Sequence, residues 1–207
     1  MPPLRSLASR WWPDLAWPRL EALALIPLFA LSGSIGPITG QNGGAGHVAR
    51  VREAFRSAFL FCAGWGVAMA AVLAVLAYPL SWLFLPSEEA QAMARLTWWI
   101  APVTMGGYGI AMAAAAGFNG LGRPLLGVGV NLMRCFALLV PLVWLGAMQF
   151  GPVGMISGYA LANVLAGAIT AFLVLRYAPM TAIESKARPI VPPTQAARAG
   201  VPVKPAE

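Results

Sequence analysis

"AFLFCAGWGVAMAAVLAVLAYPLSWLFL" (Ala58–Leu85) contains no Asp, Glu, Lys, Arg or His. About 20 consecutive apolar residues cross the hydrocarbon core of a bilayer as a helix, and this run is longer. It lacks the period-two alternation of a membrane β-barrel strand. A helix closes its backbone hydrogen bonds within itself, which is what lipid demands. The stretch reads as a membrane-spanning helix.

The rest of the chain repeats the pattern. Uncharged apolar runs also occupy Ala22–Thr39, Thr97–Phe118 and Val153–Leu175, while Leu125–Ala147 carries one charge, Arg134. Of the 207 residues, 59% are hydrophobic and 10% charged, with a mean hydropathy of +0.71. A soluble domain carries about 25% charged residues, so this chain could not cover a water-facing surface. The expected fold class is all-α: a polytopic integral membrane helix bundle of about five transmembrane helices. Residues 22–178 form that bundle, between an N-terminal segment, 1–21, and a tail, 179–207. The segment "MPPLRSLASRWWPDLAWPRLE" is interrupted by prolines and tryptophans and lacks a clear cleavage site, so the first apolar run reads as a retained helix. The tail is rich in proline and short of large apolar residues, which predicts disorder.

The formal net charge of +7 does not point to nucleic acid. The basic residues are scattered through loops and tails, with no basic stripe interleaved with aromatics. Lys and Arg instead collect on the cytoplasmic side of membrane proteins. That rule places Arg50, Arg52, Arg56 and Arg123 in the cytoplasm, together with Arg176, Lys186 and Arg188 of the tail. The loop with Glu88 and Glu89 and the stretch "MQFGPVG" (148–154) fall outside. The expected location is a cell membrane, crossed several times, such as a bacterial inner membrane, with the C-terminus cytoplasmic. Five spans put the N-terminus outside, against the charge of Arg5, Arg10 and Arg19; a preceding helix would remove that conflict. Cys62 and Cys135 fall inside spans and read as small buried hydrophobes. His47 is the single histidine and has no cluster of cysteines or carboxylates around it, so neither a metal nor a cofactor is expected.

"GPITGQNGGAG" (Gly36–Gly46) raises a separate question. "GAGHVA" within and after it fits the G-x-G-x-x-A turn of dinucleotide-binding folds. That turn needs a strand before it, a helix after it and an acid about 20 residues on. An apolar run of helix length precedes it, and after Glu53 the next acid is Glu88. Helix packing is the stronger reading. Gly36 and Gly40 stand four apart and open one helix face to a second backbone, and Pro37 predicts a kink. Gln41 and Asn42 bring amides to an interface or a wet cavity, and Gly44 and Gly46 complete the helix break. Beyond it, Val48, Val51, Phe55 and Phe59 recur at helical spacing, with Arg50, Arg52, Glu53 and Arg56 mostly elsewhere. This predicts an amphipathic elbow lying along the membrane surface.

The order of these features carries a resemblance. "GSIGPITGQNGGAGHVARVREAFRSAF" resembles the glycine-rich helix end and basic connector of multidrug and toxic compound extrusion (MATE) transporters. "LFLPSEEAQAMARLTWWIAPVTMGGYGIAMAAAAGFNGLGRP" is similar to the acidic loop, helix and small-residue turn that follow. "NLMRCFALLVPLVWL" and "GPVGMISGYALANVLAGAITAFLVLR" resemble the last two helices of that family. The likeness runs from about Leu31 to Arg176. It implies a transporter of twelve helices in two lobes, whose central cavity opens alternately to either side. Such a protein exchanges Na⁺ or H⁺ for organic, often cationic, compounds. The five spans correspond to the end of the C-terminal lobe. The chain is therefore expected to be incomplete, a fragment or truncated product that needs an N-terminal lobe. Family cation sites use membrane-embedded carboxylates, and these spans carry none.

The polar residues within spans are the remaining candidates. Arg134 is costly in lipid unless it snorkels or faces the bundle, and the structural role is favoured. Asn119, Asn131 and Asn163 can hydrogen-bond between helices or touch a substrate, with packing favoured. Trp98 and Trp99 read as interfacial anchors. Tyr108 is the best candidate for meeting an organic cation. Gly154, Gly158, Ala162, Ala166 and Thr170 recur every four residues and predict a helix–helix seam. The expected function is cation-coupled export of organic or xenobiotic compounds, in contact with membrane lipid. The alternatives are a flippase for lipid-linked sugars, or a remnant or packing subunit without transport of its own. No span offers the polar set that an enzyme needs.

Overall fold

A computed structural model of the chain describes residues 4–84 and 88–186. Helix α1 covers Leu4–Gly44, α2 Val48–Phe84, α3 Glu88–Gly120 and α4 Pro124–Leu132; a π-helical segment, Met133–Leu139, leads into α5, Val140–Lys186. By length and composition, Ala22–Gly44, Val48–Pro79 and Pro124–Tyr177 are each able to cross a membrane. A fourth is α3, bent by 42° between Ala94–Ile100 and Pro102–Gly120. Proline explains the bend, because it removes a helical donor and clashes with the preceding turn.

The 54 residues from Pro124 to Tyr177 would span about 80 Å as a straight helix, far more than a bilayer core of about 30 Å. They do not run straight. The chain reverses at Gly151 (φ 61°, ψ −141°), a left-handed backbone that glycine adopts at little cost. The two arms then lie side by side, with the Gly146 and Gly154 backbones in contact and Gly158 against the Leu142 carbonyl. The last two apolar runs of the sequence are thus a helical hairpin. Gly154 and Gly158 of the small-residue stripe form its seam.

Helix α3 is the hub. Gly66 of α2 faces Gly106, and Gly109 sits against Leu28 of α1 and Cys62 of α2. Gly107 meets the Asn163 and Gly167 backbones of α5. Lipid offers no hydrophobic drive for association, so close backbone contact supplies it. Between these seams lies a core that includes Leu28, Val51, Phe55, Cys62, Phe118 and Val174.

Several sequence expectations need correction. The first span, Ala22–Gly44, is continued toward the N-terminus by the same helix, α1, which runs from Leu4. The helix does not break at Gly36 or Pro37. The amphipathic elbow is instead the start of α2, with Val51 and Phe55 fully buried rather than laid on the membrane surface. Phe55 packs its ring against Phe118 of α3 at 5.9 Å. At the other end, the segment expected to be a disordered tail is helical as far as Lys186, and from 187 on it lies outside the described residues. The loop before Glu88 lies outside them too.

Candidate functional site

Helix α1 ends in a turn that explains the glycine cluster. The Gly46 N–H donates to the Gly43 carbonyl at 3.0 Å, and the His47 N–H donates to the Asn42 carbonyl at 2.8 Å. Gly46 holds φ 76°. This is a Schellman cap, which closes the last carbonyls of a helix and requires a left-handed residue. The same pair of bonds recurs after α3, from Gly122 to Asn119 and from Arg123 to Phe118, directly before Pro124. No strand precedes the glycines, so the dinucleotide turn is absent.

Upstream, Gly36 and Gly40 perform the packing expected of them. A methyl group built on Gly36 would lie 3.3 Å from the Ala116 carbonyl oxygen, and one on Gly40 2.7 Å from that of Gly120. Between them, Thr39 is fully buried and its hydroxyl lies 3.0 Å from the Gly117 carbonyl of α3, positioned to donate. Sequence reasoning missed Thr39, although a hydroxyl on the face of Gly36 and Gly40 marks it. Gly44 faces open space. Pro37 and Gln41 are exposed, and Asn42 donates to Ile38 of its own helix at 2.8 Å. The two amides therefore do not face the seam.

The candidate cavity residues separate into two groups. Asn119 and Asn131 are exposed, and Asn131 donates to Gly127 of its own helix at 3.3 Å. Tyr108, Arg134 and Asn163 come together from α3, the π-helical segment and α5. The Arg134 guanidinium donates to the Asn163 amide oxygen at 3.2 Å. It also stands 4.9 Å from the centroid of the Tyr108 ring, a cation–π distance. Asn163 is fully buried and donates in turn to the Tyr159 carbonyl. Tyr108 and Arg134 are half-buried, which leaves the cluster open on one side.

For Arg134 the geometry is the second of the two expected dispositions, a side chain facing the bundle, and for Tyr108 it adds a partner. Arg134 does not snorkel toward an interface: ten residues from Pro124 place it about 15 Å along the helix, near mid-membrane, and its head is turned into the bundle. One face of the Tyr108 ring is taken by Arg134. Among the described residues, the buried Arg134 Nε has no hydrogen-bond partner. Acids between Ala22 and Tyr177 are limited to Glu53, Glu88 and Glu89, all near helix ends rather than at the middle of a span. The arginine is also set in a π-helical turn, a local widening found often at functional sites. Elsewhere in the bundle, the buried Thr170 hydroxyl has no hydrogen-bond partner.

This architecture has relatives. The MatE family model matches residues 15–145. The chain is 32% identical over 160 residues to an FAD transporter of Shewanella oneidensis, covering 76% of this chain and 35% of that protein. It is 34% identical over 152 residues to an uncharacterized 21 kDa protein of Pseudomonas savastanoi, covering 71% of this chain and 48% of that protein. It therefore spans between about a third and a half of these relatives. Among solved structures, it matches the Vibrio cholerae MATE transporter VcmN in its bent form with a TM-score of 0.74 at 29% identity, over 89% of this chain and 44% of that one. An inward-facing multidrug resistance MATE family transporter shares the fold, with a TM-score of 0.70 at 18% identity, over 80% of this chain and 39% of that one. Matched by the family model over well over half its length and built as a multi-pass helical membrane bundle, the chain belongs to the MatE family of membrane transporters.

Proposed function

We propose that this chain handles small organic compounds in a MATE-type transporter, by alternating access and in exchange for Na⁺ or H⁺. The compounds that meet its Arg134 cluster carry an acidic group. One observation carries this reading: a guanidinium held at mid-membrane depth by Tyr108 and Asn163, with no carboxylate beside it. An ionisable group in that position is a functional candidate by default, because lipid penalises it. A cationic substrate would meet like charge there, whereas an anion gains a charge-assisted interaction with the half-buried guanidinium. The Shewanella relative, by its name, moves FAD, a dinucleotide with two phosphates and flat rings. Ligands for the coupling ion would come from another part of an intact transporter, such as an N-terminal lobe.

Binding tests this without requiring transport. Purified chain in detergent is titrated with FAD and, separately, with a cationic rhodamine dye. FAD is expected to bind better than the dye, and Arg134→Gln to weaken FAD binding by about tenfold or more, the value of a hydrogen bond to a charged group. Thermal unfolding verifies that the variant folds. Preference for the dye, or FAD affinity unchanged in Arg134→Gln, overturns the reading.

A further inference from the structure

Where α2 begins and α5 approaches its end, an open hollow of about 730 Å³ is lined by Val48, Ala49, Arg52, Glu53, Arg56 and Leu175. A second hollow, of about 360 Å³, shares Arg52 and Leu175 and adds Arg176 and Tyr177. Arg52 and Arg56 stand one turn apart on α2, and Arg176 of α5 shares the second hollow with Arg52. All three are exposed. Glu53 is the single acid on this lining, against three arginines.

Three features define what fits. The hollow lies level with the turns after Gly44 and Gly120, where the spans end and lipid headgroups begin. Its lining combines apolar residues (Val48, Ala49, Leu175) with charged ones (Arg52, Glu53, Arg56). Tyr177, half exposed at the edge, is a residue type that settles at headgroup level. Below, the outer face of the bundle is greasy, with Leu161, Leu165, Ile169 and Phe172 of α5 exposed. A ligand with a phosphate at the arginines and acyl chains running down such a surface matches both halves. Basic pockets between helices on the cytoplasmic side recognise anionic lipid headgroups in this way.

We infer that Arg52, Arg56 and Arg176 form a binding site for the phosphate of an anionic phospholipid, holding it against α2 and α5. The site is independent of Arg134 and of what the transporter carries. Arg50 is the internal control. It lies on the same connector and is exposed, but it lines neither hollow.

Detergent-purified chain is incubated with phosphatidylglycerol or phosphatidylcholine, and bound lipid is counted by native mass spectrometry. Phosphatidylglycerol is expected to be retained preferentially. Each of Arg52→Gln, Arg56→Gln and Arg176→Gln is expected to lower its retention about fivefold, from about 1 kcal/mol per basic residue near a membrane surface. Arg50→Gln should change it less than twofold. Free glycerol phosphate at matching concentration should not displace the lipid; if it does, the site serves soluble phosphates and the lipid assignment is wrong. Equal retention of the two lipids, or an Arg50→Gln loss as large as that of Arg52→Gln, also overturns the proposal, because attraction would then be diffuse.

Discussion

Replacing Gly40 with alanine tests the seam on which the fold depends. The added methyl group would sit 2.7 Å from the Gly120 carbonyl oxygen, 3.4 Å from its carbon and 3.7 Å from its Cα. A relaxed carbon–oxygen contact is about 3.3 Å, so α1 and α3 must separate by roughly 0.6 Å. Both partners are backbone and neither can swing away. The separation also stretches the contact of the Thr39 hydroxyl with the Gly117 carbonyl from 3.0 Å to about 3.6 Å, past the useful limit, which leaves the single hydroxyl proton to the Ile35 carbonyl of its own helix at 2.9 Å. Overpacking costs about 1–3 kcal/mol and the lost interhelical bond about 0.6–1.7. Alanine returns about 0.5–1 kcal/mol of helix preference. The net loss is about 1–4 kcal/mol.

Two neighbouring glycines make the experiment discriminating. Gly44 has nothing within 4 Å of a built methyl group, so Gly44→Ala should be neutral or gain about 0.5–1 kcal/mol. Gly46 holds φ 76°, and Gly46→Ala should lose about 1–2 kcal/mol to backbone strain alone. Thermal unfolding in detergent reads all three, at roughly 2–4 °C per kcal/mol. Gly40→Ala should lie several degrees below the parent and Gly44→Ala level with it or above. If Gly44→Ala melts as low as Gly40→Ala, packing is not what these glycines provide. Micromolar binding of NAD or ATP that is lost on changing Gly44 or Gly46 would refute the reasoning more directly.

Three further outcomes are expected. A double-mutant cycle of Arg134→Gln and Asn163→Leu, followed by unfolding, should give a coupling of about 0.6–1.7 kcal/mol; zero coupling would mean that the two side chains do not bond in the membrane. Vesicles containing this chain alone should show no Na⁺- or H⁺-driven dye export, since its five apolar runs carry no carboxylate, and gradient-dependent export would sink the proposal on coupling. A fluorescent-protein fusion to the C-terminus should be bright and a periplasm-active phosphatase fusion inactive. Contacts put the basic ends of α2 and α5 on one face, and positive charge faces the cytoplasm; the reverse pattern would reject the orientation.

The helices were readable because lipid leaves a chain few choices. Five uncharged or nearly uncharged runs told where the spans lie, and the spacing of Gly36 and Gly40 told which face of α1 another backbone would touch. What the sequence could not show was how the runs join. The sequence placed a loop at "MQFGPVG" between two runs, but not that Gly151 alone turns the chain so tightly that Gly146 and Gly154 touch across it. Similarly, Val51 and Phe55 have the period of a surface helix. That period says one face is apolar, but not whether lipid or protein covers it; α3 supplies the cover through Phe118.

Arg134 shows the limit most clearly. Its sequence neighbours are apolar, and on that basis the economical answer is a side chain that escapes to the interface. Its acceptor, Asn163, lies 29 residues away, and its aromatic partner, Tyr108, lies on α3, before the helix that carries Arg134. Neither is implied by local periodicity, because the π-helical turn at Met133–Leu139 shifts the register that a 3.6-residue period assumes. An arginine on a regular helix points where the heptad says; this one has been turned inward. Once it is inward and unopposed by any carboxylate, the family expectation of a cationic cargo and the electrostatics of this chain diverge. A like charge at the bundle centre would repel a cation, whereas the half-buried guanidinium would favour the acidic substrate proposed above.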